Sequence, residues 1–215
     1  MLRNAADERL VRMDLVRFSE EAASESPAPG GGSVAAYVGA LGAALGGMVA
    51  NLSAHKRGWD DRWNYYSDWA VKAEGYRTKL LRLVDEDTKA YDLILAAFGL
   101  PKGTDAEKSA RSAAIQEATK GAILTPLETL RTCVASMEVM QAMAKDGLPA
   151  SVSDAGVGAL CARTGAIAAY LNVRINCVGL KDEAFKKQVL DEAEALKAQV
   201  ESTEVEVMEA TLAKI

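Results

Sequence analysis

Histidine and cysteine are scarce in this chain, and their scarcity excludes two classes of protein. The 215 residues include one histidine and three cysteines, which are not grouped at spacings typical of zinc ligands, so we expect no metal site. Three cysteines at unrelated spacings also give no disulfide framework. Cys133, Cys161 and Cys177 fall within predicted helices, where we expect small buried thiols in a reducing cytoplasm.

Positive charge and membrane signals are scarce as well. Aspartate and glutamate outnumber lysine and arginine by 30 to 25, so the chain has no basic excess for binding nucleic acid. Residues 1–21 carry charges throughout, unlike a signal peptide. Residues 26–55 are uncharged and long enough to span a bilayer, but the alanine and glycine at their centre supply little insertion energy. We therefore expect a buried helix and no membrane partner.

Proline is rare too, and its few positions mark the ends of predicted helices. The five prolines lie between segments with helical periodicity, and no segment shows the alternation of a strand. We predict an all-α fold, a single-domain bundle of about seven helices over residues 1–215. The predicted helices cover residues 6–23, 33–53, 60–98, 104–124, 125–145, 153–179 and 182–213.

Short polar motifs predict where several helices begin. A capping-box pattern at Thr104 and a second one at Thr125-Pro126 indicate two consecutive helices that begin there. Ser33 and Ser153 are predicted as N-caps of two helices rich in glycine and alanine. Because glycine costs about 1 kcal/mol inside a helix, we expect these two central helices to approach each other or a partner subunit closely. Their small-residue surface also predicts a homodimer or a higher even oligomer.

The run Gly30-Gly31-Gly32-Ser33 is the most informative short motif. Glycines that lead into a helix leave backbone N–H groups accessible at the positive end of the helix dipole. Such a site suits an anionic or carbonyl-rich ligand. It is not a nucleotide P-loop, because no Gly-Lys-Ser/Thr follows and no strand precedes it. The alternative is a purely structural tight turn.

Two carboxylates are candidate catalytic groups. Asp87 continues an apolar stripe between Val84 and Tyr91, where an unpaired charge is costly unless the stripe lines a cavity. The alternative is that Asp87 meets a buried arginine or a helix N-terminus. Asp154 lies at the start of a glycine-lined helix, and its alternative role is to complement the helix dipole.

Several amide and basic residues are candidates for substrate binding. Asn172 and Asn176 lie one turn apart and either bond between helices or bind a polar heterocycle. Lys56 and Arg57 follow a helix end, where they either complement its carbonyl groups or hold ligand carboxylates. Arg111 is a further candidate, and its alternative is a solvated surface residue.

Taken in order, these motifs resemble the formiminotransferase-cyclodeaminase C-terminal domain family, which includes stand-alone methenyltetrahydrofolate cyclohydrolases. The resemblance extends over about residues 18–197, and the ordered set is far more specific than any one motif. The motifs are Pro27-x-Pro-Gly-Gly-Gly-Ser-Val-Ala-Ala, Asp85-Glu86-Asp87-x-x-Ala90-Tyr91, Leu100-Pro101-Lys102, Arg111-x-x-x-Ile115-Gln116-Glu117, Pro126-Leu127, Ser153-Asp154-Ala155-Gly156-Val157 and Asn172-Val173-x-Ile175-Asn176.

The resemblance implies an all-α homodimer that holds a tetrahydrofolate derivative in a crevice between subunits. The glycine run and the Lys56-Arg57 pair would line this site, with Asp87 and Asp154 near the one-carbon unit, and no metal or redox cofactor would be needed. The chain departs from the family pattern where Gly147-Leu148-Pro149 replaces the usual Gly-Asn, which removes one amide near Asp154. His55 also stands where the family usually has glycine.

The resemblance implies two related reactions. A cyclohydrolase adds water to methenyltetrahydrofolate and opens it to 10-formyltetrahydrofolate. A cyclodeaminase closes formiminotetrahydrofolate and expels ammonia, and it would depend on a separate formiminotransferase because this chain contains no such domain. We favour the cyclohydrolase, and we keep as a third alternative a non-catalytic helical protein that binds folate or supports an assembly.

Overall fold

The computed structural model describes residues 9–215, and in this range the chain forms six α-helices, three short 3-10 turns and no strand. The predicted all-α fold is therefore confirmed. The first predicted helix is shorter than expected, and its residues 6–8 lie outside the described range. The helices are α1 (Leu15–Ala22), α2 (Gly31–Ala54), α3 (Trp63–Phe98), α4 (Asp105–Asp146), α5 (Val152–Asn176) and α6 (Glu183–Leu212).

The predicted division of residues 104–145 into two helices is wrong, because α4 continues without a break through Pro126. A proline inside a helix leaves the carbonyl four residues earlier without its N–H donor. That carbonyl belongs to Ala122, and it accepts a 2.8 Å hydrogen bond from the side-chain amide of Asn176 on α5. The neighbouring helix thus satisfies the backbone group that Pro126 leaves open, and one long helix replaces two.

Helix α2 lies at the centre of the bundle and packs against α3, α4 and α5. Its contacts with α3 run in opposite directions, since Gly39 lies against Leu80 and Gly47 lies against Ala73. Helix α5 is also antiparallel to α2. A Cβ atom added at Gly165 would lie 2.8 Å from the backbone oxygen of Ala35, which confirms the predicted close approach of the two glycine-rich helices.

Helix α2 is long and apolar enough to cross a membrane, and it is the one such helix among residues 9–215. Of its most apolar stretch, 61% is buried inside the bundle. The expected buried helix is thus what the structure contains. The thiols of Cys133 and Cys177 are also buried, as expected, whereas Cys161 is only partly buried, and all three are unpaired.

The helix directions divide the bundle into two ends. The start of α2, the second half of α3 and the end of α5 meet at one end, called here the Asp87 end. The end of α2, the start of α3 and the start of α5 meet at the other, called here the Asp154 end. Because α2 has 24 residues at about 1.5 Å each, the two ends are about 36 Å apart.

Candidate active site

Asp87 lies at the N-terminus of α2, although it belongs to α3. The N-cap of α2 is Gly30, not the predicted Ser33, and Gly30 has no side chain to accept from the first backbone N–H groups. The carboxylate of Asp87 accepts the backbone N–H of Ser33, so it fills the role of a capping side chain from a neighbouring helix. The proposed alternative, that Asp87 meets a helix N-terminus, is therefore confirmed.

Ser33 is fully buried and connects α2 to α3 through its hydroxyl group. Its Oγ lies 3.0 Å from Oδ2 of Asp87 and 3.1 Å from the backbone oxygen of Val84. One hydroxyl proton serves one of these acceptors at a time. When Ser33 donates to Val84, a protonated Asp87 can donate to Ser33, and when Ser33 turns to Asp87 it stabilises the carboxylate. Rotation of one hydroxyl thus accommodates both protonation states of Asp87.

Burial raises the pKa of Asp87 above the usual carboxyl range. The hydroxyl and backbone N–H of Ser33 oppose this shift, but burial is the larger effect. No charged side chain contributes to the pKa of Asp87 in the described part of the chain. A partly buried carboxyl without a cationic partner can accept a proton at a pH closer to neutrality than an exposed aspartate can.

A small cavity of about 140 Å³ opens beside Asp87. A cavity of about 150 Å³ holds one benzene ring, so this one has room for one ring of a larger ligand. The side chains of Asp87, Thr88, Tyr91 and Ile94 line it from α3, together with the backbone of Gly30, Gly31 and Gly32, and the remaining lining residues are Pro27, Ala28, Ala90, Ala122, Asn172 and Asn176.

The two predicted asparagines lie in this cavity wall, and both contribute to packing between or within helices. The amide nitrogen of Asn172 donates to the carbonyl of Ala168 at 2.8 Å, and that of Asn176 donates to Ala122. These bonds fix both amide planes. Among the hydrogen bonds of residues 9–215, neither amide oxygen accepts one, so both remain available as acceptors at the cavity.

The structure does not bring every predicted site residue to this cavity. Asp154 lies in the first turn of α5, about 27 Å along the helix from Asn172. Lys56 and Arg57 are exposed and follow the end of α2, at the Asp154 end of the bundle. Within one subunit, these three residues are therefore separated from Asp87.

Arg111 lies at the Asp87 end but outside the cavity. Its guanidinium donates to the backbone oxygen of Phe98 at 3.0 and 3.2 Å and lies 5.5 Å from the centre of the Phe98 ring. It therefore satisfies a carbonyl at the end of α3. Arg111 also lines a separate pocket of about 300 Å³ together with Lys102 and Lys108.

Sequence reasoning missed Thr88 in the cavity wall and misjudged the stripe beyond Asp87. Val84, before Asp87 on the apolar stripe, is buried, whereas Tyr91, after it, is 40% exposed, and Phe98 further along α3 is 52% exposed. Beyond Asp87, α3 extends along the cavity, which Tyr91 and Ile94 line, and of its later apolar residues only Ala97 is buried. Helical spacing alone predicts neither the position of Thr88 in the cavity wall nor the change from buried to exposed apolar residues along α3.

Known proteins resemble this chain in sequence and in fold. A family model described as formiminotransferase-cyclodeaminase matches residues 14–195. A methenyltetrahydrofolate cyclohydrolase of Methylorubrum extorquens is 39% identical over 198 residues, covering 92% of this chain and 95% of that protein. A formimidoyltransferase-cyclodeaminase of Rattus norvegicus is 35% identical over 85% of this chain, which spans only 34% of the rat protein.

A solved structure agrees with these matches. The crystal structure of a formiminotetrahydrofolate cyclodeaminase from Thermotoga maritima superposes with a TM-score of 0.84 at 28% sequence identity, covering 95% of this chain and 98% of that one. The Methylorubrum and Thermotoga proteins are thus both named as enzymes that act on tetrahydrofolate derivatives. On this sequence match and this fold, the chain belongs to the formiminotransferase-cyclodeaminase family.

Proposed function

We propose that this protein is a methenyltetrahydrofolate cyclohydrolase, which hydrolyses methenyltetrahydrofolate to 10-formyltetrahydrofolate. The observation that carries the proposal is the partly buried carboxyl of Asp87, which has no cationic partner in the described part of the chain and lies beside a cavity sized for one ring. The Methylorubrum relative, of similar length and named as such a cyclohydrolase, supports the same reaction. The reaction would use no metal or cofactor beyond the tetrahydrofolate substrate.

The first step would be addition of water to the cationic carbon between the two folate nitrogens. The carboxylate of Asp87 attracts this cation and accepts a proton from the attacking water. A carbon–oxygen bond forms, the positive charge disappears and Asp87 becomes neutral. Ser33 can follow this change, because its hydroxyl turns from the carboxylate to the carbonyl of Val84.

The second step would open the ring. The bond from the former cationic carbon to N5 breaks, N5 takes a proton, and the new hydroxyl group loses its proton to become the formyl oxygen. Asp87 is placed to give the first of these protons and to receive the second. The net reaction releases one proton to solvent, and the anionic form of Asp87 is restored.

We further propose that the active protein is a homodimer in the cytoplasm and that each site combines residues of two subunits. A two-fold axis that crosses α2 near its middle would place the end of one α2 beside the start of the other. Lys56, Arg57 and Asp154 of the partner subunit would then reach the cavity beside Asp87. Lys56 and Arg57 would hold the glutamyl carboxylates, and Asp154 would lie near the one-carbon unit.

Exposed apolar side chains support this assembly. Leu41, Met48 and Leu52 on the outer face of α2 are each more than a third exposed. Met48 and Leu52 also line a groove of about 920 Å³ between α2 and α3, which Trp63 borders. Burial of these side chains against a second subunit would remove apolar surface from water along the second half of α2.

The cyclodeaminase reaction is the second candidate, because the Thermotoga protein and the rat protein carry that activity in their names. In that reaction the same carboxyl would protonate the departing nitrogen as formiminotetrahydrofolate closes to the methenyl form. A separate formiminotransferase would then supply the substrate.

One experiment distinguishes the candidates. The purified protein is incubated separately with methenyl- and formiminotetrahydrofolate, and the absorbance band of the methenyl compound is followed. Loss of the band with the first substrate supports the cyclohydrolase. Appearance of the band together with free ammonia from the second supports the cyclodeaminase. No change with either would contradict both and leave a non-catalytic folate-binding or assembly role.

A further inference from the structure

The hydroxyl group of Thr88 is buried and has no hydrogen-bond partner among residues 9–215. Threonines inside helices usually donate to the carbonyl four residues earlier. Six threonines in the long helices of this chain do so, at 2.7 to 3.3 Å: Thr119, Thr125, Thr129, Thr132, Thr164 and Thr203. Thr88 and Thr211 are the two buried exceptions among residues 9–215, and Thr88 is the one that lines the cavity beside Asp87.

The exception at Thr88 has a local cause. The carbonyl four residues before Thr88 belongs to Val84, and Oγ of Ser33 from α2 lies 3.1 Å from its oxygen. The hydroxyl of Ser33 therefore competes with Thr88 for this acceptor whenever it turns away from Asp87. A buried hydroxyl left unpaired lowers stability, so its retention here calls for a partner that the isolated chain does not supply.

Thr88 lines the same cavity as Asp87, Asn172 and Asn176. Both asparagines use their amide nitrogens on backbone carbonyls, so they present acceptors. The hydroxyl of Thr88 differs because it can donate as well as accept. It is therefore suited to a ring that carries both N–H and C=O groups.

We infer that Thr88 is a substrate-contact residue whose hydroxyl, turned into the cavity by rotation about χ1, makes a hydrogen bond to the tetrahydrofolate derivative bound there. The inference rests on the proposed function. Thr88 binds rather than reacts in this assignment, because Asp87 already supplies the proton transfer. The bond would form equally in the bound substrate and in the transition state, so it would lower KM and leave kcat nearly unchanged.

The test compares Thr88→Val, which keeps the shape and removes the hydroxyl, with Thr88→Ser, which keeps the hydroxyl. Thr211→Val is the matched control, because the hydroxyl of Thr211 is also buried and unpaired among residues 9–215, but Thr211 lies against Gly156 and does not line the cavity beside Asp87. We expect Thr88→Val to raise KM about tenfold with kcat within about twofold. Thr88→Ser and Thr211→Val should both keep KM near the wild-type value.

Two further readouts separate a binding role from a structural one. The melting temperature of ligand-free Thr88→Val should equal or exceed that of the wild type, because an unpaired group is removed. Its affinity for 10-formyltetrahydrofolate, measured by calorimetry, should fall about tenfold. A lower melting temperature in Thr88→Val than in Thr211→Val would assign the hydroxyl to the fold and overturn the inference.

The outcomes for the proposed function and for this inference are distinct. A wild-type protein that acts on neither folate substrate overturns the proposed function, and the inference falls with it. An active wild type with unchanged KM and affinity in Thr88→Val overturns the inference alone.

Discussion

The backbone of Gly32 lies directly against the carboxylate of Asp87. A Cβ atom added at Gly32 would be 2.6 Å from Cγ of Asp87 and closer still to Oδ1. A side chain at residue 32 and the carboxylate of Asp87 therefore cannot occupy these positions together. The absence of a side chain at residue 32 therefore allows the carboxylate to reach the start of α2. A glycine on one helix thus fixes the position of the candidate base on another.

Gly32→Ala should displace Asp87 and lower activity about a hundredfold, since a displacement of about 1 Å can cost that much. The added methyl group should also reduce the free energy of unfolding by about 1–3 kcal/mol, as overpacking does. Steady-state kinetics and thermal unfolding measure the two effects. Gly75→Ala is the matched control, because Gly75 lies in α3 with no atom near its added Cβ, and it should keep full activity. Equal activity in both variants would contradict the assigned contact.

Asp87→Asn should preserve the fold and remove the base. The amide keeps the size of the carboxyl and can still accept from the backbone N–H of Ser33, so helical content should not change. We expect kcat to fall at least about a hundredfold, the lower range for loss of a positioned base. At neutral pH the variant should be more stable than the wild type, because a desolvated charge is gone. Asp92→Asn, an exposed carboxylate on the same helix, is the control.

The pH dependence follows from the raised pKa of Asp87. Activity requires the carboxylate, so kcat/KM should rise with pH along a limb that lies above the ordinary aspartate pKa of about 3.9. The free energy of unfolding changes with pH in the opposite direction to the activity. The folded protein retains this proton where the unfolded chain has lost it, so the stabilising contribution of the neutral group is full below the unfolded pKa and disappears as pH rises through the folded pKa. A limb at or below pH 3.9 would exclude Asp87 as the base.

Helical periodicity and proline positions were sufficient to predict the all-α fold, but not the continuity of α4. The decisive group is the amide of Asn176, which lies 54 residues away from the carbonyl that Pro126 leaves open. No local sequence pattern predicts a hydrogen-bond donor at that distance along the chain. Glycine density, by contrast, correctly indicated the close contact of α2 with α5, because only close backbones justify so many glycines in helix interiors.

The candidate site was predictable only in part. Asp87 was found because a carboxylate interrupts an apolar stripe, and the structure places it beside the glycine run and both asparagines. Ser33 was assigned to a cap because serine at a helix start usually acts there, whereas its hydroxyl instead makes a tertiary contact with α3. The unpaired state of Thr88 depends on that same contact and was therefore hidden from the sequence.

Asn176→Ala should unfold more easily than the wild type, because the carbonyl of Ala122 loses its donor. A buried acceptor left unsatisfied costs about 1–3 kcal/mol. Pro126→Ala restores an N–H donor to that carbonyl. In the Pro126→Ala protein, the loss of Asn176 should therefore lower the free energy of unfolding by clearly less than in the wild type. Chemical denaturation of the four proteins of this double-mutant cycle measures the coupling. Strictly additive effects would show that Asn176 does not compensate for Pro126.

The composite site predicts that two defective proteins restore each other. Lys56→Gln combined with Arg57→Gln should raise KM several-fold with little change in kcat, because these cations contact the bound substrate and the transition state equally well. Asp87→Asn should be nearly inactive by itself. A mixed dimer of the two proteins has one site in which Asp87 and the partner's Lys56 and Arg57 are all intact. Co-expression with two different tags, followed by tandem purification, should therefore yield activity with the wild-type KM at about half the wild-type rate. If each site were built from one subunit, the mixed dimer would retain only the high-KM activity. Lys56 and Arg57 would then have only the alternative role of complementing the carbonyl groups at the end of α2.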